Sequence, residues 1–217
     1  MSQIVYNIAI SLPGFLLGIV FHEFAHAWMA NRFGDTTARH SGRLTLNPAV
    51  HYDLIGTVIF PLVGAVLGGT MFGWAKPVPV DTRRFKNVRS GMFWVSFAGP
   101  GANLILMTVS AFLVALLYTK VPQTFSYYTI FFDMLQKAIV INVLLAVFNL
   151  IPFPPLDGSK MVTAMLDYNA ARKYEELERY SFLFVIILLM TPILNYIMAP
   201  ALLASNVIVS LFVTLLG

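Results

Sequence analysis

The seven residues Phe21 to Ala27, F-H-E-F-A-H-A, carry the most chemistry-bearing side chains of this sequence. On a helix His22 and His26 lie four apart and project from one face, so both imidazoles can hold one metal ion. Glu23 is on the neighbouring face, close enough to take a proton from a water at that ion. The setting makes the spacing informative. Residues 1–22 contain no Asp, Glu, Lys or Arg, a run long enough to cross a bilayer. Ionisable residues at membrane depth are costly and are functional candidates by default. A catalytic zinc site takes three protein ligands and one open position. Asp157 is the best third candidate, because it follows an apolar run and stands at a helix break beside Gly158. Two blander roles stay open for it, as a helix cap and as an ion-pair partner of Lys160. The chain has no cysteine, which excludes disulfides and thiolate ligands and leaves His and carboxylates.

The elements that must position these groups follow from composition. Of 217 residues, 58% are hydrophobic and 11% charged, where a soluble domain has about 25% charged residues. The mean hydropathy is +0.76. Charge-free runs cover 1–22, 54–75, 90–119, 138–156 and 180–217, the last long enough for two spans. The expectation is an all-α polytopic membrane protein with about five to six transmembrane helices and a short re-entrant extended segment. It forms one membrane-embedded domain over 1–217, with a catalytic core at about 4–165 and a C-terminal helical hairpin at 180–217. A net charge of +4 does not suggest nucleic acid, since the basic residues fall in loops between apolar runs, where the positive-inside bias puts them. The N-terminus lacks a positive n-region and a small-residue cleavage site, so the first span is read as retained.

In chain order, residues 4–30 read as the first span, with Pro13 and Gly14 as a kink site. Residues 31–53 are polar and turn-rich, carry Arg32, Arg39 and Arg43, and are cytoplasmic by charge; R-L-T-L at 43–46 suggests a short strand. The second apolar run, 54–75, is interrupted by Pro61, Gly64, Gly68 and Gly69. It leads into G-W-A-K-P-V-P-V, residues 73–80, whose two prolines forbid a regular helix and read as an extended edge strand. Residues 81–89 are basic again. Two loops on one side require an even number of crossings between them, yet one full-length run lies there. Either 73–80 re-enters the membrane, or 54–72 is itself a bent hairpin. In the next span Gly99 and Asn103, four apart, allow close helix contact. The span ending near Leu156 closes with N-L-I-P-F-P-P-L-D-G, residues 149–158, whose three prolines break the helix. Residues 159–179 read as an amphipathic surface helix, and 180–217 as two spans turning near Pro192 to Pro200. By charge, the helix bearing His22 and the span before Asp157 both end near the cytoplasmic face, so the three candidate ligands meet at one depth.

These two motifs together resemble those of the site-2 protease family of intramembrane zinc metalloproteases, in its small form without PDZ or nucleotide-binding domains. H-E-F-A-H matches the family's H-E-x-x-H, and residues 149–158 match its N-x-x-P-x-P-x-x-D-G; the G-P-G-A-N and G-W-A-K-P-V-P-V segments match features between them. The resemblance implies one Zn²⁺ per chain on His22, His26 and Asp157, and Glu23 as general base. It implies that Asn149 binds substrate or the oxyanion. The re-entrant strand of Lys76, Pro77, Val78, Pro79 and Val80 is implied to pair with substrate backbone. The implied function is hydrolysis of peptide bonds within or near transmembrane segments of membrane proteins. The implied location is a prokaryotic plasma membrane, with the site toward the cytoplasm.

Other classes compete with this reading. Intramembrane His, Glu and Asp beside broken helices are also the mark of an ion or metal transporter, but the chain has no internal repeat. A catalytically inactive binding scaffold would not need Glu23. His40, His51 and Asp53 flank the first polar segment and stand as further ligands, a gate, or ordinary loop groups.

Overall fold

A computed structural model describes residues 2–66 and 73–217; Gly68 and Gly69 lie outside the described residues. Long charge-free sequence in an apolar medium must satisfy its backbone groups internally, and helices do so. The frame is three helices in mutual contact, α1 (Ser2–Arg32), α4 (Val88–Lys120) and α5 (Tyr128–Leu150), with α9 (Ile193–Leu216) laid against α4 and α5. Among the described residues these four helices are long and apolar enough to cross a membrane, and no strand occurs. The expected all-α architecture is present. The further spans of the expected five to six correspond to short segments. Helix α8 (Ser181–Met190) is ten residues, about 15 Å, half of a ~30 Å hydrocarbon core. A π-helical turn, Leu54–Ile59, continues into α3 (Phe60–Val66), up to the last described residue before 73.

Small residues set the spacing of the frame. A Cβ on Gly14 would lie 2.7 Å from Ala138 Cα, and one on Gly18 would lie 2.8 Å from Leu145 Cδ1. These two glycines, four apart on α1, therefore let α5 approach as a small-xxx-small seam. Phe15, Ile19, Ile141 and Leu145 fill the space beside it. A second core of Met107, Ala111, Val114, Ile139, Val143 and Met198 joins α4, α5 and α9.

The connections depart from the sequence reading in three places. Residues 43–46 form bends rather than a strand; they follow the turn at Gly42 (φ 69°) after α2 (Thr37–His40) and have no strand to pair with. The amphipathic region is two helices, α6 (Asp157–Met165) and α7 (Tyr168–Glu175), then a 3₁₀ turn Glu176–Tyr180. The break arises because Asp167 caps α7, its carboxylate accepting from the N–H groups of Asn169 and Ala170. The C-terminal chain bends at Thr191–Pro192, and α9 runs through Pro200 without stopping.

Residues 73–81 are neither helix nor strand, so the expected edge strand does not form. The Trp74 N–H donates to Gly56 O and the Lys76 N–H to His51 O. The chain that leaves at 51–56 is therefore back beside the same residues at 74–76.

Candidate active site

His22 and His26 lie on the last three turns of α1. His26 is six residues from Arg32, about 9 Å of helix rise. Opposite them α4 presents Gly99, where a Cβ would stand 2.4 Å from His26 Nε2 and 2.7 Å from His22 Cε1. Only a residue without a side chain lets α4 pass this close. Asp157 comes from the start of α6, just past the proline break. Prolines lack the N–H that continues a helix, and the loop's carbonyls are taken up by side chains instead. The Tyr174 hydroxyl donates to Pro152 O at 2.6 Å, Ser181 Oγ to Pro154 O at 3.0 Å, and Ser159 Oγ to Leu156 O at 2.7 Å. At Gly158 a Cβ would meet Leu150 O at 2.3 Å, so glycine is required for α6 to start against the end of α5.

The result is a buried triad of ligand atoms. His22 Nε2 and His26 Nε2 are 3.0 Å apart, and Asp157 Oδ2 lies 3.2 Å from the first and 3.1 Å from the second. All three residues are at most 8% exposed. The other ring nitrogens are already engaged: His26 Nδ1 is 2.6 Å from the backbone carbonyl of Val95, and His22 Nδ1 is 2.7 Å from Asn103 Oδ1. Both partners are oxygens that only accept, so each Nδ1 carries a proton, and Nε2 is the nitrogen each ring turns toward Asp157. Three potential ligand atoms converging this closely in a buried pocket suit a single bound cation. Ligand atoms about 2.0–2.1 Å from one tetrahedral ion lie roughly 3.3 Å apart, close to the separations here. Among the described residues this is the His, Asp and Glu cluster able to hold a metal ion.

The triad opens on a cavity of about 630 Å³, lined mainly by apolar side chains. Glu23 is half-buried on its wall and accepts a 2.8 Å hydrogen bond through Oε2 from the Val78 N–H. Asn149 lines the same cavity, and its amide nitrogen donates to Leu145 O, four residues back in α5. Of the extended segment, Pro77, Val78 and Val80 line the cavity, as do Trp74 and Ala75, whereas Lys76 and Pro79 are exposed and do not. Lys160 stands at the rim with Nζ 3.5 Å from Asp157 Oδ1, the carboxylate oxygen turned away from the histidines. The ion pair weighed as an alternative to metal ligation thus coexists with the triad.

Comparison with known proteins agrees with this geometry. The model of Peptidase family M50 matches residues 124–192. A Bacillus subtilis (strain 168) protein is 37% identical over 192 residues, covering 88% of this chain and 84% of its own. A Mycolicibacterium smegmatis protein is 33% identical over 187 residues, covering 85% and 68%. Both carry the name "Putative zinc metalloprotease", as YwhC and Rip2 respectively. The chain belongs to peptidase family M50. No solved structure matches it.

The remaining candidates of this M50 chain make hydrogen bonds within the first polar segment and its edge. Asp53 caps the π-helical turn through Gly56 N–H, His40 is exposed with Nδ1 on Thr36 O, and buried His51 binds Thr45 O through Nε2. None joins the triad. Four residues not singled out as functional do bear on the site. Arg43 donates to the carbonyls of Lys76 and Pro77, and fully buried Asp35 accepts from the Asp81 N–H at 2.7 Å, so both hold the extended segment. Asn103 contacts His22, and Asn142 contacts Asn103. Asn142 signalled itself only as a polar amide inside an apolar span, whereas Asn103 also stood four from Gly99 and closed the G-P-G-A-N segment.

Proposed function

We propose that this chain is a zinc-dependent intramembrane endopeptidase, cleaving peptide bonds within or near transmembrane segments of other membrane proteins. The observation that carries the reading is the convergence of His22 Nε2, His26 Nε2 and Asp157 Oδ2 within 3.2 Å of one another, beside Glu23, inside apolar helices. These three residues would hold one zinc ion. The chemistry such an ion supplies is Lewis acidity: it polarises a carbonyl and brings the pKa of water down toward about 7.

The chain's own residues do the rest. Glu23 takes the proton of the attacking water and returns it to the leaving amine. The Val78 N–H holds Oε2, which leaves Oε1 to receive that proton. The second amide proton of Asn149, beyond the one used on Leu145 O, is available for the developing oxyanion. The apolar walls keep bulk water from the reaction.

Residues 73–80 bind substrate in extended form. A transmembrane substrate must unwind locally, and an extended partner compensates its freed backbone groups. The return of the chain from Gly56 to Trp74 supports a re-entrant hairpin. That hairpin puts the basic loops at 31–53 and 81–89 on one side, the cytoplasmic face of a prokaryotic plasma membrane.

The test is cleavage of a transmembrane reporter in vesicles by wild type and Glu23→Gln. The variant keeps its zinc and loses at least about a hundredfold in rate. Cleavage at the wild-type rate by Glu23→Gln would overturn the assignment.

A further inference from the structure

We infer that Asn103 and Asn142 are positioning residues for the metal site, forming a buried amide relay that fixes which nitrogen of His22 carries its proton. The inference rests on the zinc reading above and adds to it a device spanning three helices. Asn103, on α4, is fully buried and Asn142, on α5, is 1% exposed. The direction of every bond in the relay is forced by carbonyls at its far end. Asn142 Nδ2 donates to Ala138 O at 2.9 Å and to Gly14 O at 3.5 Å, so its oxygen faces the other way. That oxygen accepts from Asn103 Nδ2 at 2.9 Å, and the same amide nitrogen donates to Gly18 O at 3.0 Å. Both amide protons of Asn103 are then used, and its Oδ1 is left for His22 Nδ1 at 2.7 Å. A carbonyl oxygen cannot donate. His22 must therefore hold a proton on Nδ1, which leaves Nε2 as the nitrogen turned toward His26, Asp157 and a metal.

Simple interhelical glue would need none of this polarity. If Asn142 loses its oxygen, only the Gly18 carbonyl still orients the Asn103 amide, so a turned amide that offers a donor to His22 and favours the wrong tautomer costs less. Partners that orient metal-ligating histidines are typically worth 10–100-fold in metal affinity.

Two readouts test the relay on the purified full chain in detergent. Nitrogen NMR of the ¹⁵N-histidine-labelled, metal-free protein reports the tautomer of His22 directly, and chelator competition reports zinc affinity. Wild type should show His22 protonated at Nδ1. Asn103→Leu should bind zinc about a hundredfold more weakly and Asn142→Leu about tenfold, both with a mixed His22 tautomer. Met107→Ala, one turn further along α4 in the apolar core, should lower the Tm of the same bundle and leave zinc affinity unchanged. A wild-type His22 with no proton on Nδ1 would overturn the relay even if no variant folds. So would zinc affinity unchanged in both Leu variants, or lost equally in Met107→Ala. Wild type that binds no zinc would instead overturn the metal site itself, a separate outcome.

Discussion

At the scale of single residues, the triad was readable because helical spacing is rigid. Residues four apart share a face whatever surrounds them, so His22 and His26 could be paired before any fold was known. Glycine was harder to read. Gly99 and Asn103 share a face of α4 by the same rule and read as a contact surface, which they are. What lies across that surface, the two imidazoles themselves, depends on how three helices are stacked, and spacing along one helix does not report that. The consequence is a specific prediction. Gly99→Ala places a Cβ where His26 Nε2 now approaches to 2.4 Å. Alanine favours the helix by about 1 kcal/mol, so the fold survives while the ligands are pushed apart. Zinc affinity should fall at least about tenfold with helical content unchanged, measured by chelator competition and circular dichroism. Wild-type affinity in this variant would mean that α4 is not pressed against the site.

At the scale of elements, the extended segment 73–81 shows what the sequence could and could not convey. Pro77 and Pro79 exclude helix, and extension followed directly. Pairing did not, because prolines lack the N–H that a ladder needs. The segment is instead held by the loop carbonyls of Gly56 and His51 and by the side chains of Arg43, Glu23 and Asp35. Arg43→Ala removes the donor to two of its carbonyls. Reporter cleavage should drop roughly tenfold with zinc content unchanged, since each such charged hydrogen bond is worth about 1.5–3 kcal/mol before solvent screening reduces it. An equal loss of zinc would contradict a substrate-side role.

The far end of the segment is also pH-sensitive. The Arg83 side-chain hydrogen bond, with its backbone hydrogen bond, its charge and a side-chain hydrogen bond from Arg84, outweighs desolvation and lowers the Asp81 carboxyl to about 2. The sign follows from linkage. A carboxylate depressed below its unfolded value of about 4 stabilises the fold above that pH and loses the contribution as pH falls toward 2. Arg83→Ala should therefore weaken the dependence of Tm on pH between about 4 and 2, as followed in detergent. An unchanged acid profile would show that the pair exerts no hold on the loop.

At the scale of the whole molecule, composition alone gave the membrane class, because 11% charged residues cannot cover a soluble surface of this size. The span count was less legible. Apolar runs at 54–75 and 180–217 have the length of spans, yet in the second the helix stops at Thr191–Pro192. Runs of hydrophobicity measure length and not path. The two short elements have distinct consequences: the segment after Leu54 brings residues 73–80 to the cavity, and α8 supplies Phe184, stacked on Phe153 of the proline break. Both converge on the level where α1, α4 and α6 bring the triad together.

The most direct test of the account is zinc per purified chain for wild type, Glu23→Gln, His22→Ala and Asp157→Ala, since it needs no substrate. The account predicts about one zinc per chain in wild type and Glu23→Gln and almost none in the other two, three protein ligands being required to hold the ion. Full zinc in Asp157→Ala would separate the two motifs and contradict the site.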